Sequence, residues 1–116
     1  MSDAEATSIF TLEMERDGDV AVVRCRGKLV SGVNNILYTE VGKLIPHSRR
    51  IVLDLTELTF MDSSGLGTLV RLYVSARSKG CELELINLGQ RIRQLFEITN
   101  LLSVFTIIGE RGIRIT

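Results

Sequence analysis

A chain of 116 residues fits one domain with its own core, because single cores occupy about 100 to 150 residues. Its 45% hydrophobic and 24% charged residues, with one Pro and ten Gly, describe an ordered globular chain rather than a disordered or fibrous one. Fourteen Lys plus Arg balance fourteen Asp plus Glu, so no net field recruits nucleic acid or an anionic membrane, and neither is expected as a partner.

The two cysteines, Cys25 and Cys81, sit in apolar runs and make no disulfide framework, which fits a reducing compartment. They read as small core residues. Met1 to Ser8 has neither the basic residue nor the apolar stretch of a secretory signal and is expected to be a flexible lead, with the domain covering 9–116. No run approaches the roughly 18 apolar residues that span a bilayer, so no membrane insertion and a cytoplasmic location are expected.

Ile9 to Glu15 alternates, Phe10, Leu12 and Met14 against Thr11, Glu13 and Glu15, which is the period of a half-buried strand. Asp17-Gly18-Asp19 reads as a hairpin turn and Val20 to Arg26 as the returning strand. From Ser31 to Lys43, Val33, Ile36, Leu37 and Val41 recur at helical spacing, and Pro46 closes that helix. Ile51-Val52-Leu53-Asp54-Leu55 is nearly continuous in apolar character, as in a central strand covered on its faces.

Leu66, Leu69, Val70, Tyr73 and Ala76 mark the clearest helix, with Gly80 suited to its C-terminal cap. Cys81 to Asn87 alternates as a fourth strand, Gln90 to Thr99 forms a short amphipathic helix through Ile92, Leu95 and Phe96, and Val104 to Ile108 closes as a fifth strand. The tail 109–116 takes no assignment. A hairpin followed by helix-strand alternation predicts an α/β fold: a single domain with a mixed, mostly parallel sheet of about five strands and crossover helices.

Functional groups in open α/β sheets gather beyond the carboxyl ends of strands, where the next helix presents unpaired amides and a partial positive charge. That place is Thr59-Phe60-Met61-Asp62-Ser63-Ser64-Gly65. Asp and Ser are also simply the best N-cap residues, worth about 0.5 to 2 kcal/mol over Ala. Capping alone leaves unexplained two large residues read as exposed, Phe60 and Met61, and glycines at Gly65 and Gly67, where Gly costs a helix up to about 1 kcal/mol. Small residues there would leave the backbone approachable.

Leu58-Thr59-Phe60-Met61-Asp62-Ser63-Ser64-Gly65-Leu66-Gly67 resembles the signature of STAS domains, in particular the anti-sigma factor antagonists of bacterial sporulation and stress regulation. The resemblance extends to Gly27-Lys28-Leu29, to Ile51-Val52-Leu53-Asp54-Leu55 and to Ile92-Arg93-Gln94-Leu95-Phe96-Glu97. It implies partner switching. The unmodified domain sequesters an anti-sigma factor that is also a serine kinase, freeing a sigma factor; the kinase phosphorylates the serine directly after the Asp, and a serine phosphatase resets it. Carried onto this chain, that serine is Ser63, and the partner-binding surface is Phe60, Met61, Asp62, Ser63, Ser64, Gly65, Leu66 and Gly67. The family commonly has an acidic residue after Gly-x-Leu; here Val30 stands in that place, followed by Ser31. A constitutive scaffold subunit of a stress-sensing or lipid-transport assembly is the alternative that this departure leaves open.

Enzyme readings fare worse, and neither catalysis nor a cofactor is expected. Gly65-Leu66-Gly67-Thr68-Leu69-Val70 lacks the third glycine of a dinucleotide fingerprint, and Gly27-Lys28 lacks both ends of a phosphate loop. His47, the one histidine, precedes the third strand while Ser63 follows it, so no Ser-His pair forms, and one histidine makes no metal site. Asp54 is a carboxylate inside an apolar strand, read as locally paired, as lying near the strand end, or as part of the switch. Arg71, Arg77, Arg91 and Arg93 read as a solvated face or a partner-binding rim.

Overall fold

The computed structural model describes residues 9–101 and 105–108. Strand β1, Phe10–Asp17, turns through Gly18, whose φ of 64° needs a residue without Cβ strain, into β2, Val20–Leu29. Helix α1, Asn34–Leu44, runs into a single 3₁₀ turn, Ile45–His47. Strand β3, Arg50–Met61, leads to helix α2, Ser63–Ser78; then come β4, Glu82–Ile86, helix α3, Gln90–Ile98, and β5, Thr106–Ile108. The expected lead 1–8, the first residue of the fifth strand, Val104, and the tail 109–116 lie outside the described residues.

The five strands lie in the order β1-β2-β3-β4-β5. The β1–β2 pair is antiparallel, and the β2–β3, β3–β4 and β4–β5 pairs are parallel. Crossovers between parallel strands are right-handed, and here they all step across the sheet in one direction, which lays the three helices on one face. Burial agrees: Val23, Cys25, Leu53, Leu55, Leu83 and Leu85 are buried with Leu37, Val41, Leu69, Leu72, Ile92 and Phe96 of the helices. The opposite face carries exposed Glu15 paired with Arg24, and Arg26 with Glu57. Phe105 packs on Tyr73 and Phe96 with ring centroids 5.0 and 5.5 Å away, tying α2, α3 and the approach to β5 together.

One sequence expectation fails on β3. Its apolar run was read as ending at Leu55, with the stretch through Gly65 as a turn, yet the strand continues to Met61. Two register irregularities against β2, one opposite Arg24 to Arg26 and one opposite Gly27 to Lys28, insert extra residues in β3. Buried side chains then fall at Leu55, Leu58 and Met61, at intervals of three, where an uninterrupted strand would place them at intervals of two.

Candidate functional site

The longer β3 leaves Asp62 as the only residue between strand and helix. Its backbone is extended and its amide donates to Leu29 O at 3.3 Å, so the turn is anchored to the end of β2. The Asp62 side chain caps α2: Oδ1 accepts from the Gly65 amide at 2.9 Å, while Asp62 O accepts the first helical bond from Leu66 N at 3.1 Å. Oδ2 accepts from the Ser31 amide at 3.2 Å. The carboxyl is held below the usual carboxylate range, chiefly by the Ser64 hydroxyl and then by the Gly65 amide, with the Ser31 and Ser64 amides adding smaller effects against a desolvation that opposes them.

The two serines are both exposed but differently bonded. Ser64 Oγ donates to Asp62 Oδ1 at 2.6 Å and accepts from Asn34 Nδ2 at 2.8 Å. Among the described residues the Ser63 side chain has no hydrogen-bond partner. It sits at the first helical position, beside the unpaired amides and partial positive charge of the helix start.

Around Ser63 the expected surface divides in two. Phe60 and Gly67 are exposed, and Gly67 has open space where a Cβ would stand. Met61, expected to be exposed, is 5% exposed because the second irregularity in β3 turns it into the core, and Leu66 is buried with it. Gly65 is buried as well: a Cβ there would lie 2.5 Å from Leu29 O and 2.9 Å from Met61 Cγ. Close packing of α2 on β2, rather than an approachable backbone, is what requires this glycine.

Asn34 and Tyr38 escaped the sequence reading, and Ser31 entered it only as the residue after Val30. Ser31, Asn34 and Tyr38 reach the site because α1 starts against the turn, and no local pattern signals that docking. Tyr38 lies under the Arg71 guanidinium, 4.7 Å from ring centroid to Cζ. Ser63, Gly67, Arg71 and Val74 are exposed along α2 at spacings of three and four, so one face of the helix continues from the serine to Val74, which is 59% exposed. Val30 is partly buried against the core, leaving Asp62 as the carboxylate of the turn.

The remaining candidates lie elsewhere. Asp54 Oδ1 accepts from the Thr56 amide at 3.0 Å and from Asn87 Nδ2 at 3.4 Å, with Arg24 4.0 Å away, which is local pairing. His47 ends the 3₁₀ turn that precedes β3 and Ser63 lies beyond the end of that strand, more than about 30 Å along an extended strand. Burial pushes the Cys25 thiol up to about 12, with Asp54 adding to it, and raises the Cys81 thiol too, as for inert core cysteines. Arg77 bonds the Tyr73 hydroxyl at 2.9 Å, and Arg91 is solvated. Among the described residues no cluster of potential metal ligands forms, and no helix is long and apolar enough to cross a membrane.

The STAS domain family model matches the chain over residues 11–111, and the chain belongs to that family. It is 43% identical over 60 residues to the anti-sigma-B factor antagonist of Listeria monocytogenes, a match covering 52% of this chain and 53% of that protein. The chain thus spans about half the length of the first curated relatives it matches. With the anti-sigma F factor antagonist of Paenibacillus polymyxa it shares 30% identity over 98 residues, 83% of this chain and 84% of the relative. The crystal structure of an anti-sigma factor antagonist from Mycobacterium paratuberculosis has the same fold, with a TM-score of 0.76 over 84% of each chain at 22% identity.

Proposed function

We propose that this chain is an anti-sigma factor antagonist whose binding surface is centred on Ser63 and switched by phosphorylation there. One observation carries the reading: the Ser63 hydroxyl is exposed and unbonded among the described residues, at the head of an exposed helix face, while its neighbour Ser64 is engaged. Phe60, Ser63, Gly67 and Arg71 form the contact surface; Asp62, Gly65, Met61 and Leu66 hold it in shape. The unmodified face binds an anti-sigma factor that is also a serine kinase, and so frees a sigma factor.

Phosphorylation adds about −1.5 to −2 charges, which the helix start tolerates but an apposed protein face does not, through repulsion and desolvation. A serine phosphatase restores the hydroxyl. Calorimetric titration with the anti-sigma factors of the same genome tests the reading: wild type binds one of them, and Ser63→Asp weakens that binding by at least about tenfold, or roughly 1.4 kcal/mol. Equal binding by both proteins sinks the switch.

A constitutive scaffold is the second reading, favoured by Val30, which packs partly buried against the core where the family commonly has an acidic residue. Intact-mass measurement of the native protein decides between them. A population unmodified in every growth state supports the scaffold.

A further inference from the structure

We propose that Asn34 selects Ser63 over Ser64 as the phosphoacceptor, by holding the Ser64 hydroxyl against Asp62. The proposal rests on the phosphoacceptor reading above and adds a residue of α1 that neither the signature nor local pattern identifies. Two adjacent serines at a helix start are chemically alike and both exposed, so something must distinguish them. What differs is bonding. Asn34 Nδ2 fills a lone pair of Ser64 Oγ at 2.8 Å, and the Ser64 proton is directed to Asp62 Oδ1 at 2.6 Å. The Ser64 carbonyl is also engaged, accepting from Thr68 Oγ1 at 3.1 Å.

Phosphoryl transfer from ATP requires the serine Oγ to turn a lone pair toward the γ-phosphorus. A bond forms from Oγ to phosphorus, the bond from phosphorus to the ADP oxygen breaks, and the hydroxyl proton passes to a base of the kinase. Ser63 meets these demands without losing a hydrogen bond. Ser64 would lose the bond it donates to an ionised carboxylate and has one of its two lone pairs already occupied by Asn34, and its phosphate would then face that same carboxylate.

Asn34 reinforces the arrangement from outside the turn. A donor to Ser64 Oγ polarises its O–H and strengthens the bond to Asp62, as linked hydrogen bonds do. The other end of the amide, Oδ1, is buried and makes no hydrogen bond among the described residues, so the bond to Ser64 is the polar anchor of this side chain there. Without Asn34 the Ser64 hydroxyl gains rotational freedom. Asn34 is thus a positioning residue: it acts on Ser64 and through it on Asp62.

The experiment has two arms. In the first, wild type and Asn34→Ala are incubated with ATP and the kinase-type anti-sigma factor found in the binding titration, and phosphate is located by peptide mass spectrometry. Wild type is expected to carry it on Ser63, and Asn34→Ala to lower the Ser63-to-Ser64 ratio by about tenfold, the scale of one lost hydrogen bond. In the second arm, without kinase, carbon-detected NMR follows the Asp62 carboxyl through pH. Asn34→Ala should raise its midpoint in the wild-type background and leave it unmoved in a Ser64→Ala background, a dependence that general loosening of the turn would not produce. Phosphate confined to Ser63 in Asn34→Ala, or an equal midpoint shift in both backgrounds, overturns the selection role alone. Wild type that takes phosphate at neither serine overturns the phosphoacceptor reading and this proposal together.

Discussion

Asp62 shows how much one side chain can be asked to do. It caps α2 through the Gly65 amide, accepts from the Ser64 hydroxyl and receives the Ser31 amide, so two backbone amides and one side-chain hydroxyl depend on its charge. Because its folded pKa is depressed, the stability it contributes is fully present above its ordinary value of about 4 and is lost as pH falls through the lower, folded value. Ser64→Ala removes the largest cause of that depression. Its destabilisation should therefore be greatest near neutral pH and shrink in acid, which urea unfolding at pH 7 and pH 3 will measure; a difference from wild type independent of pH would refute the account. The expectation of Ser63 over Ser64 came from the resemblance to the family signature, and the difference in their bonding is what the proposal adds to it. Asn34 was illegible because its relation to the turn spans thirty residues of sequence.

Two glycines within one helical turn make opposite demands on α2. Gly65 packs against Leu29 O and Met61, so Gly65→Ala should cost about 1 to 3 kcal/mol through forced separation of helix and strand. Gly67 faces open space, and Gly67→Ala should be neutral or stabilise by up to about 1 kcal/mol through helix propensity. Thermal melts of the two variants test the pair, and equal effects would refute the packing argument. Both glycines looked alike in the sequence because propensity sees only the helix they occupy. The length of β3 was hidden for a related reason: its irregularities are defined by pairing with β2, and intervals of three between Leu55, Leu58 and Met61 belong to neither simple period. Where period and element agreed, as for α2 from Leu66 to Ala76 and for the β1–β2 hairpin, the chain was readable directly.

The molecule as a whole is built from one sheet with helices on one face, and its strands follow chain order without reversal. A reversal of strand order is what opens a ligand crevice in doubly wound sheets, so the turn after β3 is presented as a surface rather than as the floor of a cleft. The rigidity of the molecule depends on the central strand: Leu53 is 0% exposed between β2 and β4, and Leu53→Ala should cost about 2 to 5 kcal/mol while leaving the denaturant slope unchanged. A cost below about 1 kcal/mol would mean that the core does not centre on this strand. Composition, periodicity and turn chemistry by themselves determined the α/β class, most elements and the position of the serine turn, because each is encoded within one or two turns of chain. Which serine is bonded, which glycine is packed and whether Met61 faces solvent were decided only when β2, β3, α1 and α2 came together, because those properties belong to pairs of atoms far apart in sequence.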